Sequence, residues 1–326
     1  MTRQRFVQRR FVRQTGAALL TALLIVSLVA SIAAAMVWRQ YRAVQVEAAE
    51  RARSQAAWVL QGALDYARLI LREDARATPL VDHLGEVWAV PLAEARLSTF
   101  LAGGQASADD GPEAFLSGNI ADAQAQYNLR NLIGGTEVPP IEQRTLQRLC
   151  ESAGVPPETA DLIITKMRSA FGNPIDEATA PLQPATLDQL AWFGLSPDTI
   201  ERLRPLLVIL PSNTPVNLNT APREVIAALF DGMDLAAAER LVQGRRSAPL
   251  QSVPAAQAYL PATVTPDAAR SSVQSSFFFV TGRLRLDERV LQERSLVFRN
   301  GLNMVTLRRE RLSDVLPPQS GTATQR

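Results

Sequence analysis

Cysteine, histidine and lysine are almost missing from this 326-residue chain: each occurs once, as Cys150, His83 and Lys166. A lone cysteine forms no internal disulfide, although it leaves an oxidising compartment open. It also leaves no Cys/His set for a structural zinc. A Cys/His catalytic pair would require His83 and Cys150 to meet across the fold, and nothing in the pattern supports that. Cys150 reads as a small buried residue near a helix end, and His83 as a surface or turn residue. No glycine-rich phosphate loop and no Ser/His/Asp arrangement is apparent. The expectation is therefore a protein without a catalytic centre.

The formal charge is close to neutral, with 34 basic and 32 acidic side chains. Its distribution matters more than its sum. Residues 1–16 carry Arg3, Arg5, Arg9, Arg10 and Arg13 and no acid. Taking those five from the 34 basic residues leaves 29 against 32 acidic ones, a body of about −3. A body of that sign gives no reason to expect binding to nucleic acid.

From Ala17 to Val37 the chain has no charged residue. At 1.5 Å per residue that run spans roughly 30 Å of hydrocarbon as a helix. The preceding arginines place residues 1–16 on the cytoplasmic side and send everything after Trp38 across the membrane. Trp38 and Tyr41 fall where interfacial aromatic anchors sit. A cleavable secretory signal would end in a small-residue cleavage site, whereas this run continues into a charged helical pattern. Between Arg39 and Ala77 there is no proline, and Val44, Ala48, Ala52, Gln55, Val59, Ala63, Tyr66 and Ile70 recur at helical spacing. One helix of nearly 60 residues is predicted, half in the membrane and half outside. Ala48, Ala52, Ala56 and Ala63 are small enough to let neighbouring helices approach closely.

Thr78-Pro79 breaks that helix, and Gly103-Gly104 and residues 108–112 carry turn chemistry. Residues 118–132 suggest a strand pair or a strand with a turn. Residues 139–206 read as helices separated by Gly-Val-Pro-Pro and Gly-Leu-Ser-Pro, the latter a stop followed by a new cap. A second helical unit runs from Pro215 to about Arg246, with Asn219-Thr220 as its expected N-terminal cap, Pro222 in the first turn and Glu224 matching the helix dipole. From Ser275 onward apolar and polar residues alternate, and Asn300-Gly301 is a hairpin signal. The tail from Pro317 is expected to be disordered.

Three motifs carry a family resemblance. RRFVRQTG followed by AALLTALLIVSLVA resembles the prepilin-type signal, in which a membrane peptidase cuts after the glycine. The resemblance implies a cut between Gly16 and Ala17 and methylation of the new terminus at Ala17. Prepilins usually carry an aromatic residue first and glutamate fifth after the cut, whereas here those positions are Ala17 and Thr21. Loss of that glutamate resembles the K component of the type II secretion system, the minor pseudopilin thought to sit at the fibre tip, where no subunit lies ahead to pair with it. GNIADAQAQYNLRNLIG, residues 118–134, is similar to a K-family signature. Within it Asp122, Asn128 and Asn131 read as bonding the local backbone rather than as ligands.

The third motif, PVNLNTAPREVIAALFDGMDLAAAERLVQGRR, holds Asn217, Asn219 and Thr220. It resembles a helix-hairpin-helix or SAM-like unit, which the K family carries inserted in its outer domain. The same consensus occurs in DNA-uptake proteins, so a membrane-anchored DNA receptor is the alternative. DNA binders of this type place two glycines in the hairpin, where backbone N–H groups approach a phosphate. Here the hairpin reads Asp231-Gly232-Met233-Asp234, and its carboxylates oppose a phosphate, although Arg240, Arg245 and Arg246 keep the alternative open. Asp109, Asp110 and Glu113 make calcium the one candidate cofactor, but their spacing lacks the ligand run of an EF-hand and reads as a solvated acidic loop.

What the resemblance implies is an α/β fold: a long N-terminal transmembrane helix leading into a pseudopilin-like body with an inserted all-helical domain. The expected divisions are a leader at 1–16, the transmembrane helix at 17–37 and its outer continuation at 38–77. The body occupies 78–138 and 250–316, the helical insertion 139–249 and the tail 317–326. The implied function is structural, in export of folded proteins across the outer membrane. The implied partners are minor pseudopilins I and J, the major pseudopilin G and the prepilin peptidase, with the N-terminus cytoplasmic and the body periplasmic.

Overall fold

The computed structural model describes residues 15–97, 114–133, 137–172, 181–286 and 289–312. Most of the leader, the acidic residues Asp109, Asp110 and Glu113, and the tail lie outside the described residues. Two compact units divide the chain, residues 1–58 and 59–326. The first consists of the opening part of one helix, α1 (Thr15–Ala77), 63 residues long as its uninterrupted helical spacing predicts. No Pro interrupts it, and its apolar portion is exposed throughout, as a segment meant for lipid must be. Thr21 Oγ1 turns back onto Ala17 O at 3.0 Å and Ala18 O at 2.9 Å, which satisfies the hydroxyl within the helix.

In the second unit the last turns of α1 lie on a five-stranded antiparallel sheet. Its strands are β1 (Leu92–Arg96), β2 (Ala114–Asp122), β7 (Phe277–Leu286), β8 (Arg289–Asn300) and β9 (Asn303–Leu312), in the order β1-β2-β7-β8-β9. Alternation divides the sheet cleanly. Phe278, Val280, Ile120, Val297 and Met304 face α1, where Leu64, Ala67, Leu71 and Trp88 complete a core. Phe277 and Leu296 face the other way, onto Ala123, Val208 and Leu210. Trp88 meets Phe278 edge to face at 5.3 Å, and Phe277 packs against Phe298 at 4.9 Å.

The helix stripe that is buried differs from the sequence expectation. Ala56, Leu60, Leu64, Ala67 and Leu71 are buried, whereas Tyr66 is 48 % exposed. The larger aliphatic side chains decide the rotation, since turning Leu60, Leu64 and Leu71 into the core removes more apolar area than Val59 and Ala63 would. Ala56, expected to face a neighbouring helix, is itself buried.

The helices between β2 and β7 form the third layer. They are α2 (Pro140–Ser152), α3 (Glu158–Phe171), α4 (Pro197–Leu203), α5 (Arg223–Leu229) and α6 (Leu235–Ser247), with 3-10 turns at Leu129–Ile133, Leu187–Phe193 and Val253–Ala258. The punctuation acts as chemistry requires. Gly194 ends one turn at φ 93°, Ser196 Oγ accepts from Thr199 N at 3.1 Å, and Pro197 opens α4. The apolar core of this layer reaches from Tyr127 to Val273. Two short parallel pairs tie its ends: β3 (Tyr127–Asn128) with β4 (Leu207–Val208), and β5 (Val216–Asn217) with β6 (Ser271–Ser272).

Two expectations are corrected. The helix after Asn219-Thr220 starts at Arg223, with Pro222 in the cap position and no side-chain cap, because both polar side chains are engaged elsewhere. The β8–β9 turn is formed by Gly301 and Leu302 with Asn300 paired to Asn303, one residue later than the Asn-Gly signal; Gly301 takes φ 58°, where glycine carries no Cβ penalty.

Gly118 and Gly282 are opposite one another on β2 and β7. A Cβ on Gly118 would lie 2.5 Å from Thr281 O, and one on Gly282 would lie 3.1 Å from Leu60 Cδ2. Gly118 lets β2 and β7 lie close, and Gly282 lets α1 approach the sheet. Gly118→Ala is expected to destabilise the full chain in detergent by about 1–3 kcal/mol on chemical unfolding. Gly62→Ala, with nothing within 4 Å of the added Cβ, is expected to stabilise it by about 0.5–1 kcal/mol.

Candidate functional site

The residues singled out in the sequence gather at the joint between sheet and helical layer. Asp122 ends β2 with its residue 7 % exposed. Its Oδ1 accepts from Gln124 N at 2.7 Å and starts the turn Ala123–Ala125. Its Oδ2 accepts from Thr220 Oγ1 at 2.5 Å, Ser275 Oγ at 2.6 Å and Asn217 Nδ2 at 3.0 Å. Burial pushes the carboxyl up to about 6, and the Ser275 and Thr220 donors pull against that. One carboxylate thus holds β2, β5, the turn after β5 and the approach to β7.

The asparagines imitate backbone. Asn219 accepts from Leu250 N at 2.9 Å and donates to Leu250 O at 3.0 Å, as a paired strand residue would. Asn131 does the same with Thr214, at 3.1 and 2.9 Å. Asn128 accepts from Arg130 N and Leu210 N, and donates to Ser212 O at 2.7 Å and Thr214 Oγ1 at 3.0 Å. Asn217 Oδ1 accepts from Asn219 N at 2.9 Å. Irregular loops leave buried N–H and C=O groups that must be paired, and these amides pair them.

The carboxylates of the hairpin between α5 and α6 are engaged within the fold. Asp231 accepts from Arg144 Nη2 at 2.6 Å and Arg148 Nη2 at 2.5 Å, so the carboxylate clamps α2; hydrogen bonds from Arg144 and Arg148 hold it down to about 2. Asp234 caps α6 by accepting from Ala237 N at 2.7 Å. Arg245 is buried and donates to Leu218 O, and burial lowers it to about 10. Of the arginines that kept DNA in view, the central one is structural.

Sequence reasoning missed two charged clusters. Arg270 reaches Glu142 Oε1 at 2.7 Å, Thr145 Oγ1 at 2.7 Å and Leu229 O at 2.5 Å, while Tyr127 Oη donates to Glu142 Oε2 at 2.8 Å. Asp74, Asp82 and Glu86 bring carboxylate oxygens within 4.8 Å of one another. Arg299 pairs with two of them. The available signal was an arginine in an otherwise apolar strand segment, SLVFRN. Cys150 is fully buried in α2, and burial pushes its thiol up to about 12, away from reactivity. His83 accepts from Gly85 N at 3.1 Å in a turn.

Asn219→Ala is expected to cost about 1–3 kcal/mol, since it strands both polar groups of Leu250 in the interior. Denaturant titration of the full chain in detergent measures it, with the loss appearing as a lower midpoint.

The comparisons with known proteins follow the same outline. The family described as Type II secretion system (T2SS), protein K, matches residues 216–274, the segment from β5 to the approach to β7. Type II secretion system protein K of Pseudomonas aeruginosa is 30% identical over 262 residues, covering 73% of this chain and 74% of that protein. The protein K of Pectobacterium carotovorum subsp. carotovorum is 27% identical over 330 residues, covering 91% and 96%. Among solved structures, the GspK-GspI-GspJ complex from the enterotoxigenic Escherichia coli type 2 secretion system contains a chain with the same fold, at TM-score 0.63 and 21% identity over 81% of this chain and 98% of that one. Identity and coverage on this scale, along almost the whole chain, place it in the type II secretion system protein K family.

Proposed function

We propose that this minor pseudopilin caps the short fibre of its secretion system, held in the inner membrane by α1 until its helix packs beside the helices of minor pseudopilins I and J. The single observation that carries the reading is α1 itself. One unbroken helix begins at the prepilin-like junction, is apolar enough to span a bilayer, and ends on the sheet of the body. The solved relative is part of a complex with GspI and GspJ, which supports partners of the same kind here. The arginines of residues 1–16 support a cytoplasmic N-terminus, and hence a periplasmic body. Thr21, where other prepilins carry glutamate, supports the tip position: it brings no charge into the bilayer that a subunit ahead would have to neutralise.

Processing tests the reading first. Mass spectrometry of the chain from cells with an active prepilin peptidase is expected to show Ala17 as the first residue. Gly16→Ala is expected to leave the 16-residue leader attached. Met1 intact on the wild-type chain in those cells overturns the prepilin assignment.

Ala52 tests the packing face. It is half-buried and small, whereas Ala56 is buried and unsuitable as a probe. Ala52→Arg is expected to abolish co-purification with minor pseudopilins I and J and to leave the melting of the body unchanged, because a bulky charge costs more than 1–3 kcal/mol of overpacking. Undiminished co-purification places the interface elsewhere.

A further inference from the structure

Where α1 ends, the chain buries more negative charge than it neutralises. The side chains of Asp74, Asp82 and Glu86 are 7 %, 0 % and 6 % exposed. Among the described residues one guanidinium pairs with them. Arg299, at the end of β8, reaches Asp74 Oδ2 at 3.2 Å and also donates to Asp82 Oδ2. It is fixed in place by Ser275 O at 2.6 Å and by the Phe278 ring at 4.8 Å.

The donors are shared unequally. Glu86 accepts from Thr78 Oγ1 at 2.9 Å, His83 N at 2.9 Å and Trp88 Nε1 at 2.7 Å. Asp82 Oδ2 accepts from Ser275 N at 2.7 Å in addition to Arg299, while its Oδ1 is buried without a hydrogen-bond partner. The Asp74 carboxylate receives Arg299 Nη1 and faces the charges of Glu86 and Asp82. Three buried carboxylates with one guanidinium leave an excess that the site cannot carry cheaply, and a bound proton removes it.

We propose that Asp74, Asp82, Glu86 and Arg299 form a proton latch, in which a proton held on Asp74 fastens the last turn of α1 to the loop 78–90 and its release loosens that junction. The charged groups around Asp74 are Glu86 and Asp82 from the loop and Arg299 from β8. Beyond them, Asp122 of β2 acts on Asp82 only from a distance, and the His83 ring approaches Glu86 at 3.9 Å. On α1 itself Glu73 is paired with Arg76. Burial first, then Glu86 and Asp82, push Asp74 up to about 7.

The sign follows from linkage. A carboxyl whose pKa is raised by folding stabilises the closed junction in acid, and that contribution is lost as pH rises from the unfolded value toward about 7. Above that the proton is gone from both states and the dependence levels off. The latch is therefore tight in mild acid and loose at neutral and alkaline pH. It acts on the one segment that joins the long helix to the sheet through Trp88.

Hydrogen exchange of the full chain in detergent micelles, corrected for the intrinsic base catalysis of exchange, tests it between about pH 5 and about pH 8. Opening of residues 78–90 is expected to rise by up to about tenfold per pH unit and to flatten near neutrality. Asp74→Asn, permanently uncharged, is expected to remove most of that rise and to protect the loop more than the wild type at alkaline pH. Asp74→Ser carries the same expectation should the amide fail to fold. A flat wild-type profile, or a full rise retained in either neutral variant, overturns the latch.

Discussion

The architecture turns on a buried carboxylate that four separate segments need at once. Asp122 terminates β2, and the hydroxyls of Thr220 and Ser275, the amide of Asn217 and the backbone of Gln124 all donate to it. An isolated ionised group at that depth would be costly, and each of those donors would be equally costly without an acceptor. Neither side of the bargain is stable alone. Closing the helical layer onto the sheet is what brings them together, so the polar joint fixes the relation of the two layers more specifically than their apolar contact could.

Around that joint the sheet works as a partition. The face toward α1 is cut back at Gly282 so that Leu60 can settle against the strands, while the opposite face presents Phe277 and Leu296 to the helical layer. At the outer edge, β9 carries a register irregularity beside Leu307 and exposed Arg309 and Arg311, features that discourage another strand from pairing there. The β9 edge is thereby guarded against chance pairing.

Local chemistry was the legible part of the sequence. The break at Thr78-Pro79, the stop and restart at Gly194 and Ser196 and the Asp234 cap of α6 each act through residues a few positions away. What was not legible depended on distant partners. Asn219 and Thr220 have the composition of a helix cap, and only the fold reveals that their partners are Leu250 and Asp122, 31 and 98 residues away. The rotation of α1 was offset because periodicity alone does not weigh Leu60, Leu64 and Leu71 against Val59, Ala63 and Tyr66. Asp74, Asp82, Glu86 and Arg299 come from three parts of the chain, and no spacing links them.

The most direct measurement of the account is the unfolding free energy of Asp122→Ala and Thr220→Ala, alone and combined, in the full chain. If Asp122 is the shared acceptor that fixes the helical layer to the sheet, its removal costs about 3–5 kcal/mol, and the double variant loses markedly less than the sum of the singles. A cost for Asp122→Ala below about 1 kcal/mol, or losses that simply add, would contradict it.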